Sequence, residues 1–237
     1  MINDIKYGQY SIDEKTVFTL NDHNRFVVYR NRYNSYVYEK YEDEELKESK
    51  LIASEDTLKM DILPITPINV PGKYASYMML EFNPIILSPK SSFTCYLTMP
   101  VEIGVCVDNT IIDTYSLGYT KYVLYGNPER GIICRYNKSN IYEEIPHLTP
   151  LIDAAVRCTL INNTDQLKSI SKIVYPIEGA DMYYKDAYAY FDGVVATIET
   201  KFIVDIVSVE VKEVEWNANK TRLGKQFKSS YIMEWGF

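Results

Sequence analysis

Apolar and polar residues alternate with a period of two along most of the chain, in runs rich in β-branched and aromatic side chains. The clearest run is Val194 to Ile206. Val194, Ala196, Ile198, Thr200, Phe202, Val204 and Ile206 fall on one face, and Val195, Thr197, Glu199, Lys201, Ile203 and Asp205 on the other. The first set is predicted to face a core and the second water. The phase then changes, because Val207, Val209 and Val211 become the apolar set, and this predicts a bulge or bend near Val207. Just upstream, Asp192-Gly193 stands between two strand-like runs and predicts a hairpin pairing Met182–Phe191 with Val194–Asp205. Earlier, Val156, Cys158 and Leu160 alternate with Arg157, Thr159 and Ile161. The polar cluster Asn162-Asn163-Thr164-Asp165 then turns the chain into a second run, Ile170 to Ile177. Such strand–turn–strand text is typical of immunoglobulin-like sandwiches.

The first half reads in the same way. Strands are predicted over Ile5–Ser11, Thr16–Leu20, Arg25–Tyr29, Ser35–Glu39, Tyr74–Phe82, Phe93–Met99, Val101–Val107, Ile111–Ser116, Tyr122–Tyr125 and Gly131–Tyr136, with Asp108-Asn109 as a turn. Two stretches break the pattern. Tyr41 to Lys50 is charge-dense and reads as an exposed loop or a short solvated helix. Pro146-His147-Leu148-Thr149-Pro150 reads as a linker, and Thr149 followed by Pro150 could cap a short helix. The fold expected is therefore all-β in two domains: a β-sandwich or barrel over 1–147, then an immunoglobulin-like β-sandwich over 148–237. The aromatic terminal stretch from Phe227 to Phe237 is expected to close the second domain as a final strand.

Composition narrows the function more than the fold. The 25 Lys and Arg against 32 Asp and Glu give a net charge of −7, and no basic run exceeds a pair, so nucleic acid is not an expected partner. No segment approaches the roughly 18 apolar residues of a membrane span. The first residues, Met1-Ile2-Asn3-Asp4-Ile5-Lys6, do not read as a leader, so a cytoplasmic setting is expected. Cys95, Cys106, Cys134 and Cys158 form no CxxC pair and are expected to be reduced, buried thiols.

The strand text Pro100-Val101-Glu102-Ile103-Gly104-Val105, the run Lys121-Tyr122-Val123-Leu124-Tyr125-Gly126-Asn127-Pro128, and Gly131-Ile132-Ile133-Cys134-Arg135-Tyr136 together resemble an uncharacterised archaeal family, domain of unknown function four-three-two. The matching text spans roughly residues 95–140. The resemblance implies an archaeal, cytoplasmic protein. It carries no activity and transfers no functional residue.

Candidate chemistry is sparse. His23 and His147 are the only histidines and lie in loop-like text, which leaves no histidine pair at metal-ligand spacing. No Gly-x-Ser-x-Gly elbow or phosphate-binding glycine loop is present. Tyr125 to Gly131 resembles a phosphate loop without its lysine. Glu129, Arg130 and Arg135 could hold an anionic group there, although Asn127-Pro128 reads first as a turn opener. Tyrosine is abundant, 22 in 237 residues. Strand periodicity would place Tyr184, Asp186, Tyr188 and Tyr190 on one face, where rings beside carboxylates could bind sugars; Asp181 and Asp192 lie close by. The acidic run Glu42 to Glu45 lacks the spacing of a calcium loop. No catalytic residue, metal ligand or cofactor is assigned. The expected function is a non-enzymatic binding or assembly module acting through β-sheet surfaces, with a protein partner or self-association. A tyrosine-lined carbohydrate or small-ligand binder and a hydrolase of unrecognised type are the alternatives.

Overall fold

The computed structural model describes residues 5–54, 56–67, 76–202, 204–221 and 230–234. Among them the chain is all-β, without a helix. The strands in chain order are β1 (Gly8–Ile12), β2 (Lys15–Thr19), β3 (Asn24–Arg30), β4 (Ser35–Glu42), β5 (Glu45–Ala53), β6 (Leu58–Ile65), β7 (Tyr77–Leu87), β8 (Ser91–Pro100), β9 (Glu102–Val107) and β10 (Thr110–Tyr115). They continue with β11 (Lys121–Tyr125), β12 (Ile132–Lys138), β13 (Asp153–Asn162), β14 (Lys168–Pro176), β15 (Met182–Lys185), β16 (Tyr188–Lys201), β17 (Val204–Lys212), β18 (Asn219–Lys220) and β19 (Ser230–Glu234).

The four strands β2 to β5 form an antiparallel meander, as short polar turns between aromatic runs dictate. It packs on a second sheet of order β1-β6-β9-β10. Phe18, Phe26, Tyr38 and Tyr115 fill the space between them: Phe18 stacks on Phe26 at 4.6 Å between ring centroids, and Phe26 on Tyr115 at 5.8 Å. The polar tips in that layer are mutually satisfied. Tyr38 donates to Asp113 Oδ2 at 2.6 Å and meets the Tyr115 hydroxyl at 2.6 Å, while Lys40 reaches Asp113 Oδ1 at 3.1 Å. A register shift between Ile111 and Asp113 on β10 re-aims the carboxylate into this network. The Asp108-Asn109 turn is present, with both residues in the left-handed region.

The rest of the chain builds a sheet of order β11-β12-β7-β14 and a seven-stranded sheet in which β8, β13, β16, β15 and β18 lie side by side and β17 and β19 extend from β16. Two pairings are parallel, β7 with β12 and β13 with β16. Strands before and after residue 147 pair directly: β8 runs antiparallel to β13 with Pro100 opposite Asp153. One hydrophobic core cluster contains buried residues from all four sheets. The closing strand is present as β19 against β17, with Met233 buried; Trp235 and Phe237 lie outside the described residues.

Four local expectations are corrected. The Asp192-Gly193 step is not a hairpin turn, because β16 runs straight through it. Val156 lies opposite Phe191 and Cys158 opposite Val194, so Asp192 and Gly193 together oppose the single residue Arg157 in a β-bulge. There β16 also exchanges antiparallel partners, from β15, last paired at Phe191, to β17, first paired at Gly193. The true reversals are a two-residue turn at Asp186-Ala187 and the β16–β17 hairpin, in which Lys201 pairs with Val204. They also explain the phase change near Val207, since Val207 pairs with Ile198 and so shares its face. Tyr41 to Lys50 is neither loop nor helix: it ends β4, turns at Asp43-Glu44 with positive φ, and forms most of the exposed edge strand β5. Thr149 begins a single turn, not a helix; Leu151 in the left-handed region ends it.

Gly193 is required by packing. A Cβ there would sit 2.5 Å from Val214 Cγ2 and 3.3 Å from the Lys212 carbonyl oxygen. Gly193→Ala is expected to destabilise the protein by about 1–3 kcal/mol, read as a lower urea midpoint at unchanged m-value. An unchanged midpoint would mean that the bulge tolerates a side chain.

Candidate functional site

The turn carrying Glu129 and Arg130 forms as its sequence implies. Asn127 Oδ1 accepts from the backbone N–H groups of Glu129 and Arg130 at 3.1 and 2.8 Å, and Gly131 N–H returns to the Asn127 carbonyl at 2.7 Å. Glu129 and Arg130 are exposed. Arg135 does not join them. It is the largest of the fully buried side chains, held on β12 where it meets Glu102 of β9 at 3.5 Å and donates to the Tyr122 hydroxyl at 2.6 Å. The structure therefore brings together Arg135, Glu102 and Tyr122, and leaves Arg130 outside in solvent.

The tyrosine row divides. The two-residue turn reverses parity, so Tyr184 pairs with Ala189 while Tyr183 pairs with Tyr190 and Lys185 with Tyr188. Tyr184 thus faces away from Tyr188 and Tyr190, and packs near Tyr7 at 6.0 Å. Asp186 occupies the turn itself, exposed, and pairs with Lys6 at 2.9 Å; that hydrogen-bonded ammonium holds its carboxyl below the usual range. Tyr190 instead gains a neighbour that the strand pattern did not single out. Trp216 lies 4.9 Å from it and 6.2 Å from Tyr96, and the indole N–H donates to the Phe191 carbonyl at 2.9 Å. Trp216 lies in a segment without periodicity, so only the rarity of tryptophan marks it in the sequence.

Asp181 and Asp192 do converge. Asp192, 2% exposed, accepts from the Asp181 backbone N–H at 2.9 Å and from the Tyr183 hydroxyl at 3.1 Å. Lys220 on β18 bridges Asp181 at 2.5 Å and Glu213 at 2.9 Å, with its ammonium 5.6 Å from the centre of the Tyr183 ring. Burial pushes the Asp192 carboxyl up to about 6, opposed by its hydrogen bonds. Burial likewise raises the Tyr183 phenol, and the two carboxylate partners raise the Lys220 ammonium. The group could exchange a proton near neutrality, but its acceptor oxygens are engaged within the protein. Among the described residues no cluster of histidine, cysteine or carboxylates could hold a metal ion, and no helix is long and apolar enough to cross a membrane.

A different place carries several exposed apolar side chains. Three connections lie at one end of the seven-stranded sheet and the β11-β12-β7-β14 sheet: β7 to β8, β13 to β14, and β16 to β17. The Asn162 amide ties two of them, donating to the carbonyls of Leu87, Ser88 and Gln166 at 3.1, 2.9 and 2.8 Å. Lys168 ties the third by an ion pair to Asp205 at 2.6 Å. On this braced end stand Ile86, Leu167, Phe202 and Val204, exposed by 66%, 62%, 102% and 60%. Phe202 has a φ of 59°, at the tip of its hairpin. The charges around them are internally matched: Lys90 with Asp165 at 3.1 Å, Lys168 with Asp205, and Lys201 with Glu199 at 3.2 Å.

Comparison with known proteins extends the resemblance seen in the central strands to nearly the whole chain. No curated protein and no solved structure was found to match it. A family model described as "Protein of unknown function (DUF432)" matches residues 6–234, and the chain belongs to that family.

Proposed function

We propose that this protein is a non-enzymatic binding and assembly module that associates, copy with copy, through the loop end of its seven-stranded sheet and the β11-β12-β7-β14 sheet. In this reading those two sheets form an immunoglobulin-like sandwich, and the other two form a second sandwich. The supporting observation is that Ile86, Leu167, Phe202 and Val204 are exposed in or beside three connections cross-linked by Asn162 and Lys168. Large apolar side chains left exposed on a braced end are candidate interaction sites. The matched charges favour a second copy. A chain of net charge −7 repels its like, and a locally neutral end lets two copies approach with least repulsion. The four free, buried cysteines suit a reducing, cytoplasmic setting.

Sedimentation equilibrium over a wide concentration range tests this. The wild type is expected to associate. Phe202→Glu, which places a charge in the apolar contact without touching the core, is expected to weaken association by at least about 30-fold. A wild type that stays monomeric at every concentration would overturn the reading.

A further inference from the structure

We propose that Cys95 and Cys158 are a redox-modification site, closing into a reversible intramolecular disulfide across the β8–β13 seam. The two residues are directly opposite in the antiparallel register, both are free thiols, and both are buried. Directly opposed residues in such a ladder have Cα atoms about 4.5–5.5 Å apart, inside the roughly 4.4–6.8 Å that a disulfide spans, so the bond needs no rearrangement of the sheet. Neither remaining cysteine has this relation: Cys106 pairs with Asp61 and Ile111, and Cys134 with Tyr77 and Val123.

The two thiols are also unequal. Hydrogen bonding with Cys158 lowers the Cys95 thiol, whereas the same contact together with complete burial raises Cys158. Burial alone accounts for most of the rise of Cys106 and Cys134, each to about 12. Cys95 is therefore the attacking sulfur, since the thiolate is the nucleophile. Cys95 is 1% exposed and Cys158 not at all. The first four residues of β8 are largely exposed, Cys95 is the first buried one after them, and β8 ends the run of side-by-side strands in its sheet.

With hydrogen peroxide as oxidant the step balances. The Cys95 thiolate attacks one peroxide oxygen, the O–O bond breaks, and the departing hydroxide takes a proton to leave as water, giving a sulfenic acid. The Cys158 sulfur then attacks the sulfenic sulfur. Its proton leaves with the hydroxyl as a second water, and the S–S bond forms. Two thiols have lost two electrons and two protons, and one peroxide has become two waters. A dithiol reductant reverses the change by exchange.

The test treats the folded full chain with hydrogen peroxide, blocks remaining thiols by alkylation, and maps peptides by mass spectrometry without reduction. A Cys95–Cys158 linked peptide lighter by two hydrogens, lost on reduction, is the expected product, with Cys106 and Cys134 left as thiols. In Cys158→Ser, dimedone is expected to trap a sulfenic acid at Cys95. Both thiols still free after peroxide treatment, or linkage of either to any other cysteine, would overturn the proposal.

Discussion

Replacing Arg135 with alanine is expected to cost about 3–5 kcal/mol of stability, because it would leave the Glu102 carboxylate buried beside a vacated guanidinium site. Arg135 and Glu102 are each about 1% exposed and 3.5 Å apart. The guanidinium also donates to Tyr122, and its ring contact there, at 5.3 Å, adds a cation–π component. The arrangement is not an optimal ion pair: Arg135 Nε has no hydrogen-bond partner within the protein. Its net worth over an apolar core is therefore small, while the cost of breaking it from one side is large. These opposite expectations separate in one experiment. Arg135→Met alone should lower the urea midpoint steeply. Adding Glu102→Gln, which removes the stranded charge, should restore about half of the loss. If the single variant loses less than about 1 kcal/mol, the carboxylate is not held as a buried charge. The pair joins β12 to β9, strands of different sheets, so its loss is expected to loosen the contact between the two halves of the core.

The sequence offers Arg135 as a ligand contact and the structure places it in the core beside Glu102, and that difference has a physical reason. Alternation tells which residues share a strand face but not which strand covers that face. Glu102 is 33 positions away from Arg135, and nothing local announces the encounter. The same limit hid Lys220, which meets Asp181 across 39 positions, and placed Trp216 beside Tyr190 unforeseen. What was legible was local. The strands predicted between residues 5 and 136 fall on β1 to β4 and β7 to β12, most to within a few residues, because each is a short run of β-branched and aromatic residues ended by turn formers; β5 and β6 are not among them. Two of the misreadings share one cause. A tight hairpin reversal flips the parity of the alternation, so a continuous period-two pattern read through Asp186-Ala187 or from Lys201 on into Val204 assigns every following side chain to the wrong face. That error put Tyr184 with Tyr190, and turned the β17 phase into a bulge. Asp192-Gly193 carries the composition of a turn, but its glycine serves close packing against Val214 and its aspartate a buried cluster. The strand β5 went unread because an exposed edge needs no apolar face; its charges guard the edge instead.

That buried aspartate carries the second large expectation, a pH dependence of stability with an unusual sign. Most carboxylates in folded proteins are lowered, and their contribution fades in acid. Asp186 and Asp205 here follow that pattern, through Lys6 and Lys168. Asp192 is raised, from 3.8 to about 6, by burial. The folded state then holds its proton more tightly than the unfolded chain does. Its contribution is fully present below about pH 4 and is lost as the pH rises through about 6. The shift of about two pH units corresponds to about 3 kcal/mol. The charged and titratable groups around it are Asp181, Tyr183 and Lys220, and the Lys220 ammonium keeps its charge throughout this window. Asp192→Asn keeps one oxygen to accept from the Asp181 N–H, places its NH2 where Oδ1 stood so that the Tyr183 hydroxyl becomes the acceptor, and removes the titration. Subtracting its stability from that of the wild type at each pH cancels the other carboxylates. The variant is expected to gain on the wild type by about 2–3 kcal/mol between pH 4 and pH 7, measured by urea unfolding across that range. Parallel profiles for the two proteins would show that Asp192 titrates as an ordinary carboxylate and that its cluster is wet. A gain of the expected size would identify Asp192 as a charge that the fold tolerates at neutral pH in order to hold β15, β18 and the bulge of β16 together.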